Sequence, residues 1–215
     1  MSRSRDIADS TKTLDVDGGT IKLDGNYPVG TGNVALGNTA LDSVEAGGTY
    51  NVAIGDAAGT AITTGDGNVG VGADALLLNS SGGYNTALGT SSVRNNTTGN
   101  YNVGLGQGAL YSNTTASNNT AVGYQAGFAN TTGGNITAVG RWALKANTTG
   151  NDNTAVGLNA LLSNTTGGSN IAVGQQALQA NTTASNNTAV GYQAGYNTTV
   201  GYNNTLFGDR AGYSN

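Results

Sequence analysis

Glycines at positions 37, 55, 72, 89, 106, 123, 140, 157, 174, 191 and 208 each close a near copy of one five-residue motif. Asn153-Thr154-Ala155-Val156-Gly157 is the cleanest copy; after one first step of eighteen residues, every step is seventeen. A fixed short period sets the architecture before local propensity does, because each unit can bury its apolar face only against its neighbours. Seventeen residues are too few for a helix pair or a propeller blade, and suit one turn of a β-solenoid. The expected fold is all-β: a parallel β-solenoid (β-roll) of about eleven 17-residue coils over residues 31–215, preceded by a distinct segment, residues 1–30.

Within each copy the residue before the glycine is large and apolar, as in Leu36, Ile54, Leu88, Val139 and Phe207, and two places earlier stands Val, Ile or Thr. Side chains alternate along a strand, so these two columns share a face. They are expected to fill the inside of the coil. The residue between them is tiny: Ala53, Ala87, Ala121, Ala138, Ala155, Ala172 and Ala189, with Gly70 and Gly104 in the same column and Leu206 as the departure. Alanine is a poor strand former, so such a column implies a face with no room over it. Either the coil's other wall or an identical neighbour packs there. The neighbour is the reading adopted, which makes those seven alanines candidate residues of an interface between identical chains.

Three and four residues after each glycine comes a second small-large pair, such as Ala75-Leu76 and Ala143-Leu144. It reads as a second short strand or tight corner whose Leu points inward. Where Gly59, Gly127, Gly195 or Gly212 replaces that Leu, an aromatic usually follows (Phe128, Tyr196, Tyr213), and the ring is expected to fill the gap. The rest of the unit, typified by Asn96-Thr97-Thr98, has turn composition. Stacking places these asparagines, and those that open each motif, in ladders whose amides bond along the stack.

Composition removes several kinds of chemistry. The chain has no Cys and no His, which excludes disulfides, thiol and imidazole catalysis, and zinc ligation by those side chains. Net charge is −4 with only eight basic residues, which speaks against a nucleic-acid footprint. The repeat carboxylates Asp42, Glu45, Asp56, Asp66, Asp74, Asp152 and Asp209 form no pair at matching places in adjacent units, so stacking builds no acid/base dyad. Calcium-binding solenoid repeats need a regular Asp, which is missing. The expectation is a protein that is no enzyme and takes no cofactor or metal. No apolar run is long enough to span a bilayer and Met1-Ser-Arg-Ser-Arg-Asp6 lacks an apolar signal core, so the chain reads as soluble, without membrane insertion and without a signal peptide.

Binding remains. Tyr84 and Tyr101 each precede the Asn that opens a motif, Tyr124 and Tyr192 each follow a closing glycine, and Trp142 sits beside Arg141 and near Lys145. Aromatic faces with polar neighbours suit sugars, so these five are candidate polysaccharide-binding residues. The alternative is that the rings pack between chains and stiffen the rod. Residues 1–30 carry nine of the twenty charged residues and the only proline. They read as a docking segment with Arg3, Arg5, Asp6 and Ile7 as candidates and Thr20–Leu23 as a short strand, or as a cap or frayed tail.

Motifs such as Asn51-Val52-Ala53-Ile54-Gly55 and Asn153-Thr154-Ala155-Val156-Gly157, recurring in register over residues 32–212, resemble the head repeat of trimeric autotransporter adhesins. The resemblance implies a parallel β-roll and three chains about one axis, an intertwined or side-by-side homotrimer whose axis the alanine column faces. The period of seventeen is longer than the usual repeat of that family. The repeats, with Ser2-Arg-Ser-Arg-Asp-Ile-Ala-Asp9, also resemble tail-fibre and other virion proteins of tailed bacteriophages. The function implied is a structural and adhesive virion protein, made in the host cytoplasm and attached to other virion proteins through the N-terminal segment. Tyr84, Tyr101, Tyr124, Trp142 and Tyr192 are then candidate receptor-binding residues toward host surface polysaccharide. A capsid-decorating trimer, a bacterial surface adhesin head and an ice-binding solenoid are the alternatives.

Overall fold

The computed structural model describes residues 31–45 and 47–213. The docking candidates Arg3, Arg5, Asp6 and Ile7 and the short strand at residues 20–23 lie outside the described residues. Eleven three-residue strands follow one another: β1 (Val34–Leu36), β2 (Val52–Ile54), β3 (Val69–Val71), β4 (Thr86–Leu88), β5 (Val103–Leu105), β6 (Thr120–Val122), β7 (Thr137–Val139), β8 (Thr154–Val156), β9 (Ile171–Val173), β10 (Thr188–Val190) and β11 (Thr205–Phe207). They form one parallel sheet in chain order. Each residue pairs with its equivalent in the next lap, as Ala138 does with Ala155. The result is a β-solenoid of about ten turns, about seventeen residues to a turn, as the period predicts. At one inter-strand spacing of about 4.8 Å per lap, the rod is roughly 50 Å long. The extra residue of the first lap lies between Glu45 and Gly48. Glu45 still bonds its equivalent, Thr63, eighteen residues on, whereas Gly48 takes the place of Gly65, seventeen on.

The strand faces are the reverse of the sequence expectation. Ala53, Ala87, Ala121, Ala138, Ala155, Ala172 and Ala189 point into the coil, all at most 1% exposed within a single chain. The large residues beside them point out: Leu36 is 48%, Leu88 51% and Phe207 66% exposed. Those alanines therefore cannot be the contact surface for sister chains; they meet their own coil's opposite wall. The reason is the thinness of the lap. The Leu of the second small-large pair crosses the interior so far that a Cβ placed on Gly70 would already sit 3.4 Å from Leu76 Cδ1 and from the Ala75 carbonyl oxygen. Only Ala or Gly fits between that corner and the strand. The corner itself is a left-handed turn rather than a strand: Leu76, Leu110, Leu144, Leu161 and Leu178 take φ of 49–55° and are fully buried. Left-handed backbone costs a non-glycine residue roughly 1–2 kcal/mol, which the buried side chain offsets.

Nor do the aromatics fill the gaps where the corner Leu is missing. Phe128 and Tyr196 lie on the outside, stacked on Tyr111 at 4.9 Å and on Tyr213 at 5.1 Å. The vacant space is taken from within. A Cβ on Gly127 would lie 3.0 Å from Leu110 and 3.5 Å from Ile136, which stands where other laps have asparagine. At Gly59 the filler is Ile62, and at Gly195 it is Leu206 with Thr198. The converse exchange occurs in one lap, where Ser92, larger than the usual Ala, and Val93, branched at Cβ in place of Leu, oppose Gly104. A Cβ there would come within 2.6 Å of both, and the Ser92 hydroxyl already donates to the Gly104 carbonyl at 2.8 Å. Gly104→Ala is expected to lower stability by about 1–3 kcal/mol through overpacking. Gly70→Ala, with ordinary contacts, should be neutral or stabilising by a few tenths, up to about 1 kcal/mol. Thermal unfolding of the two variants side by side checks the exchange.

The polar half of the interior is built from the two expected asparagine ladders. In one, Asn79, Asn96, Asn113, Asn130, Asn147, Asn164 and Asn181 are wholly buried, and each Nδ2 after the first donates to the Oδ1 of the lap before, for example Asn147 to Asn130 at 2.8 Å. The other runs through the asparagines that open each motif. In most laps both converge on one carbonyl: Gly82 O accepts from Asn68 at 2.9 Å and Asn79 at 2.8 Å, and Ala116 O accepts from Asn102 and Asn113. Buried amides are stable only when paired in this way.

Candidate functional site on the turn face

With the interior and strands dictated lap by lap, chemistry can vary only where side chains leave the coil. One face varies far more than the rest. It is formed by the first, second and fifth residues after each closing glycine. All six glutamines of the chain (Gln107, Gln125, Gln175, Gln176, Gln179, Gln193) lie there. So do the four cations that follow residue 30, Arg94, Arg141, Lys145 and Arg210. In repeat proteins the positions released from packing are commonly the ones that meet partners.

The five aromatic candidates divide between two places. Tyr84 and Tyr101 stand on a separate edge, five residues before the closing glycine, and stack in parallel with centroids 5.3 Å apart and planes 4° off. Tyr84 also lies over Gly67, where a Cβ would come within 2.9 Å of its ring. Both tyrosines are more than half exposed. Tyr124, Trp142 and Tyr192 belong to the turn face.

Around Trp142 the turn face is most elaborate. The Arg141 guanidinium lies over the indole, its Cζ 3.8 Å from the ring centroid, and Lys145 Nζ is 5.1 Å from the same centroid. The indole Nε1–H donates to Gln125 Oε1 at 3.2 Å, and Tyr124 leans against the ring at 6.4 Å with planes 53° apart. Four laps on, the arrangement returns in part. Tyr192 takes the place of Tyr124 and Gln193 that of Gln125; Arg210 takes the place of Trp142, its Nε donating to Gln193 Oε1 at 3.2 Å and its Cζ 5.8 Å from the Tyr192 ring. Sequence reasoning singled out the rings but passed over the glutamines. Their confinement to three places in the lap was the available signal.

Among the described residues the one ion pair is Arg94 with Asp74, at 3.3 Å, so Arg141, Lys145 and Arg210 face no carboxylate of the described chain. No group of three or more acidic side chains is gathered in metal-binding fashion among the described residues, and no helix is long and apolar enough to cross a membrane. What the turn face offers is flat rings, amides with donors to spare, and uncompensated positive charge, a set suited to binding polar, ring-shaped or anionic ligands. Compared with protein-family models, with curated proteins and with solved structures, the chain matches none of them.

Proposed function

We propose that the chain is a structural and adhesive protein, a trimeric β-solenoid fibre or spike of a tailed bacteriophage, attached by residues 1–30 and meeting host surface glycans through its turn face. The observation that carries the reading is the outer surface of the sheet. One outward column, from Leu36 to Phe207, is apolar throughout and the other mixes Thr with Val and Ile; Leu36, Ile54, Leu88, Ile171 and Phe207 are all more than a third exposed. A continuous apolar stripe down a rod is rarely left to water and marks an association surface. Identical copies offer the same stripe at the same length, so the columns can meet about a common axis. This transfers the association surface from the alanines to their outward neighbours. The charge concentrated in residues 1–30 supports the attachment role of that segment.

Leu88→Arg tests the reading, since the side chain is half exposed and its replacement leaves the coil interior untouched. The wild-type chain should sediment as a trimer and the variant as a folded monomer with near-normal melting of the coil. A monomeric wild type at micromolar concentration, or a variant that stays assembled, sinks the association reading. Immunogold labelling of intact particles then separates fibre from capsid decoration. A second reading has one observation in its favour: Thr86, Thr120, Thr137, Thr154, Thr188 and Thr205 occupy one outward column of the sheet. That arrangement suits ice, and a thermal-hysteresis measurement decides it.

A further inference from the structure

We infer that the cluster of Arg141, Trp142 and Lys145, with Gln125 below it, is a binding subsite for a carboxylate-bearing sugar, and that Arg210 with Gln193 forms a weaker second station on the same face. The inference deepens the adhesive part of the reading above by naming the class of glycan. Three observations lead to it. The first is uncompensated charge. The chain is acidic overall, yet two of its eight cations converge on one indole with no carboxylate of the described chain in reach. A cation pair placed only for solubility would gain nothing from converging, because like charges repel. A ligand anion between them removes that repulsion.

The second observation is orientation. Arg141 lies against the indole at 3.8 Å, which fixes the guanidinium plane while leaving its N–H edge free. A planar edge of parallel donors matches the two oxygens of a carboxylate, and stacking has already removed much of the rotamer freedom that binding would otherwise cost. The indole is itself fixed by its hydrogen bond to Gln125 Oε1 at 3.2 Å. That bond leaves Gln125 Nε2 as a donor with no partner among the described residues, placed for a sugar hydroxyl. The exposed Tyr124 ring alongside supplies an apolar flank for the pyranose.

The third is recurrence. Fifteen consecutive residues, Asn113 to Gly127, reappear unchanged as Asn181 to Gly195, so Tyr124-Gln125 and Tyr192-Gln193 stand four laps apart, roughly 19 Å along the rod at one strand spacing per lap. In each, the next lap sends an N–H donor to the glutamine oxygen, from Trp142 in one and Arg210 in the other. One extended polymer can engage both stations, and the second contact then acts at high effective concentration.

Affinity electrophoresis of the full-length chain in gels containing polygalacturonate or alginate, at about 0.15 M salt to screen diffuse attraction, reads the proposal. Neutral dextran and dextran sulfate serve as comparison polymers. Retardation by a polyuronate, weakened at least tenfold in Arg141→Gln and less in Arg210→Gln, with the double variant weakest, is the expected result. Trp142→Ala should match Arg141→Gln, and Arg141→Gln carries the decision if the tryptophan variant melts early. Absence of retardation by both polyuronates, equal retardation by dextran, retardation by dextran sulfate as strong as by polyuronate, or an undiminished Arg141→Gln each overturns it. Sedimentation and particle labelling report on assembly and virion location independently, so either can fail while the glycan result stands.

Discussion

Gly140→Ala is expected to lower the unfolding free energy by about 3 kcal/mol or more, a large fraction of the roughly 5–15 kcal/mol that holds a typical domain folded. Two penalties coincide at this site. Its φ is 131°, far from the left-handed well near 57° that other residues can tolerate. A Cβ would also lie 2.6 Å from the carbonyl oxygen and 2.8 Å from the carbonyl carbon of Gly157, the equivalent glycine one lap on. Backbone cannot step aside as a side-chain tip can, because Gly157 N is itself bonded to Val139 O at 2.8 Å. Gly208→Ala is the control. It shares the positive φ, 120°, but has nothing within 4 Å of the added carbon, so only the conformational part of the cost, about 1–3 kcal/mol, should appear. Denaturant unfolding of both variants checks the difference. Equal losses would show that crowding between successive laps contributes nothing.

Asn147→Ala should cost a comparable amount, about 3–5 kcal/mol, for a different reason. The wholly buried amide donates to Asn130 Oδ1 at 2.8 Å and to Gly150 O at 2.9 Å, and accepts from Asn164 Nδ2 at 2.8 Å. Its removal strands three partners at once, each with a desolvation penalty of about 1–3 kcal/mol. Gly150 O is the sensitive one. In most laps the shared carbonyl also receives an amide from the motif-opening asparagine, but in this lap Ile136 stands in that place. Asn164→Ala, where Asn153 still bonds Gly167 O at 2.7 Å, is therefore expected to be the milder variant. Urea unfolding ranks the two, and the reverse order would mean the doubled donors are redundant everywhere.

Much of this was readable before any coordinates. The lap length, the parallel in-register sheet and the two asparagine ladders follow from a period of seventeen with Asn at fixed places. The orientation of the strand did not follow. Alternation says that Ala155 faces opposite Thr154 and Val156, but not which of them is inside. That depends on how far the wall across the coil reaches, and the deciding residue is the corner Leu, as Leu161 shows, fully buried on a left-handed backbone. With that Leu already inside, the outward columns had no space left to fill. The candidate binding residues were half legible: rings are conspicuous in a chain with so few, whereas Gln125 and Gln193 gain meaning only when stacking sets them under Trp142 and Arg210.

The repeated block from Asn113 to Gly127 and from Asn181 to Gly195 carries the same hole, left by a glycine where a leucine belongs, and the chain plugs it by two different means, Ile136 in one case and Leu206 with Thr198 in the other. A gene for such a rod can lengthen by copying segments, yet a copy cut between hole and plug inherits a void. Such a rod tolerates a copied block cut off from its plug only where the new surroundings supply another, as Ile136 does for one copy and Leu206 with Thr198 for the other.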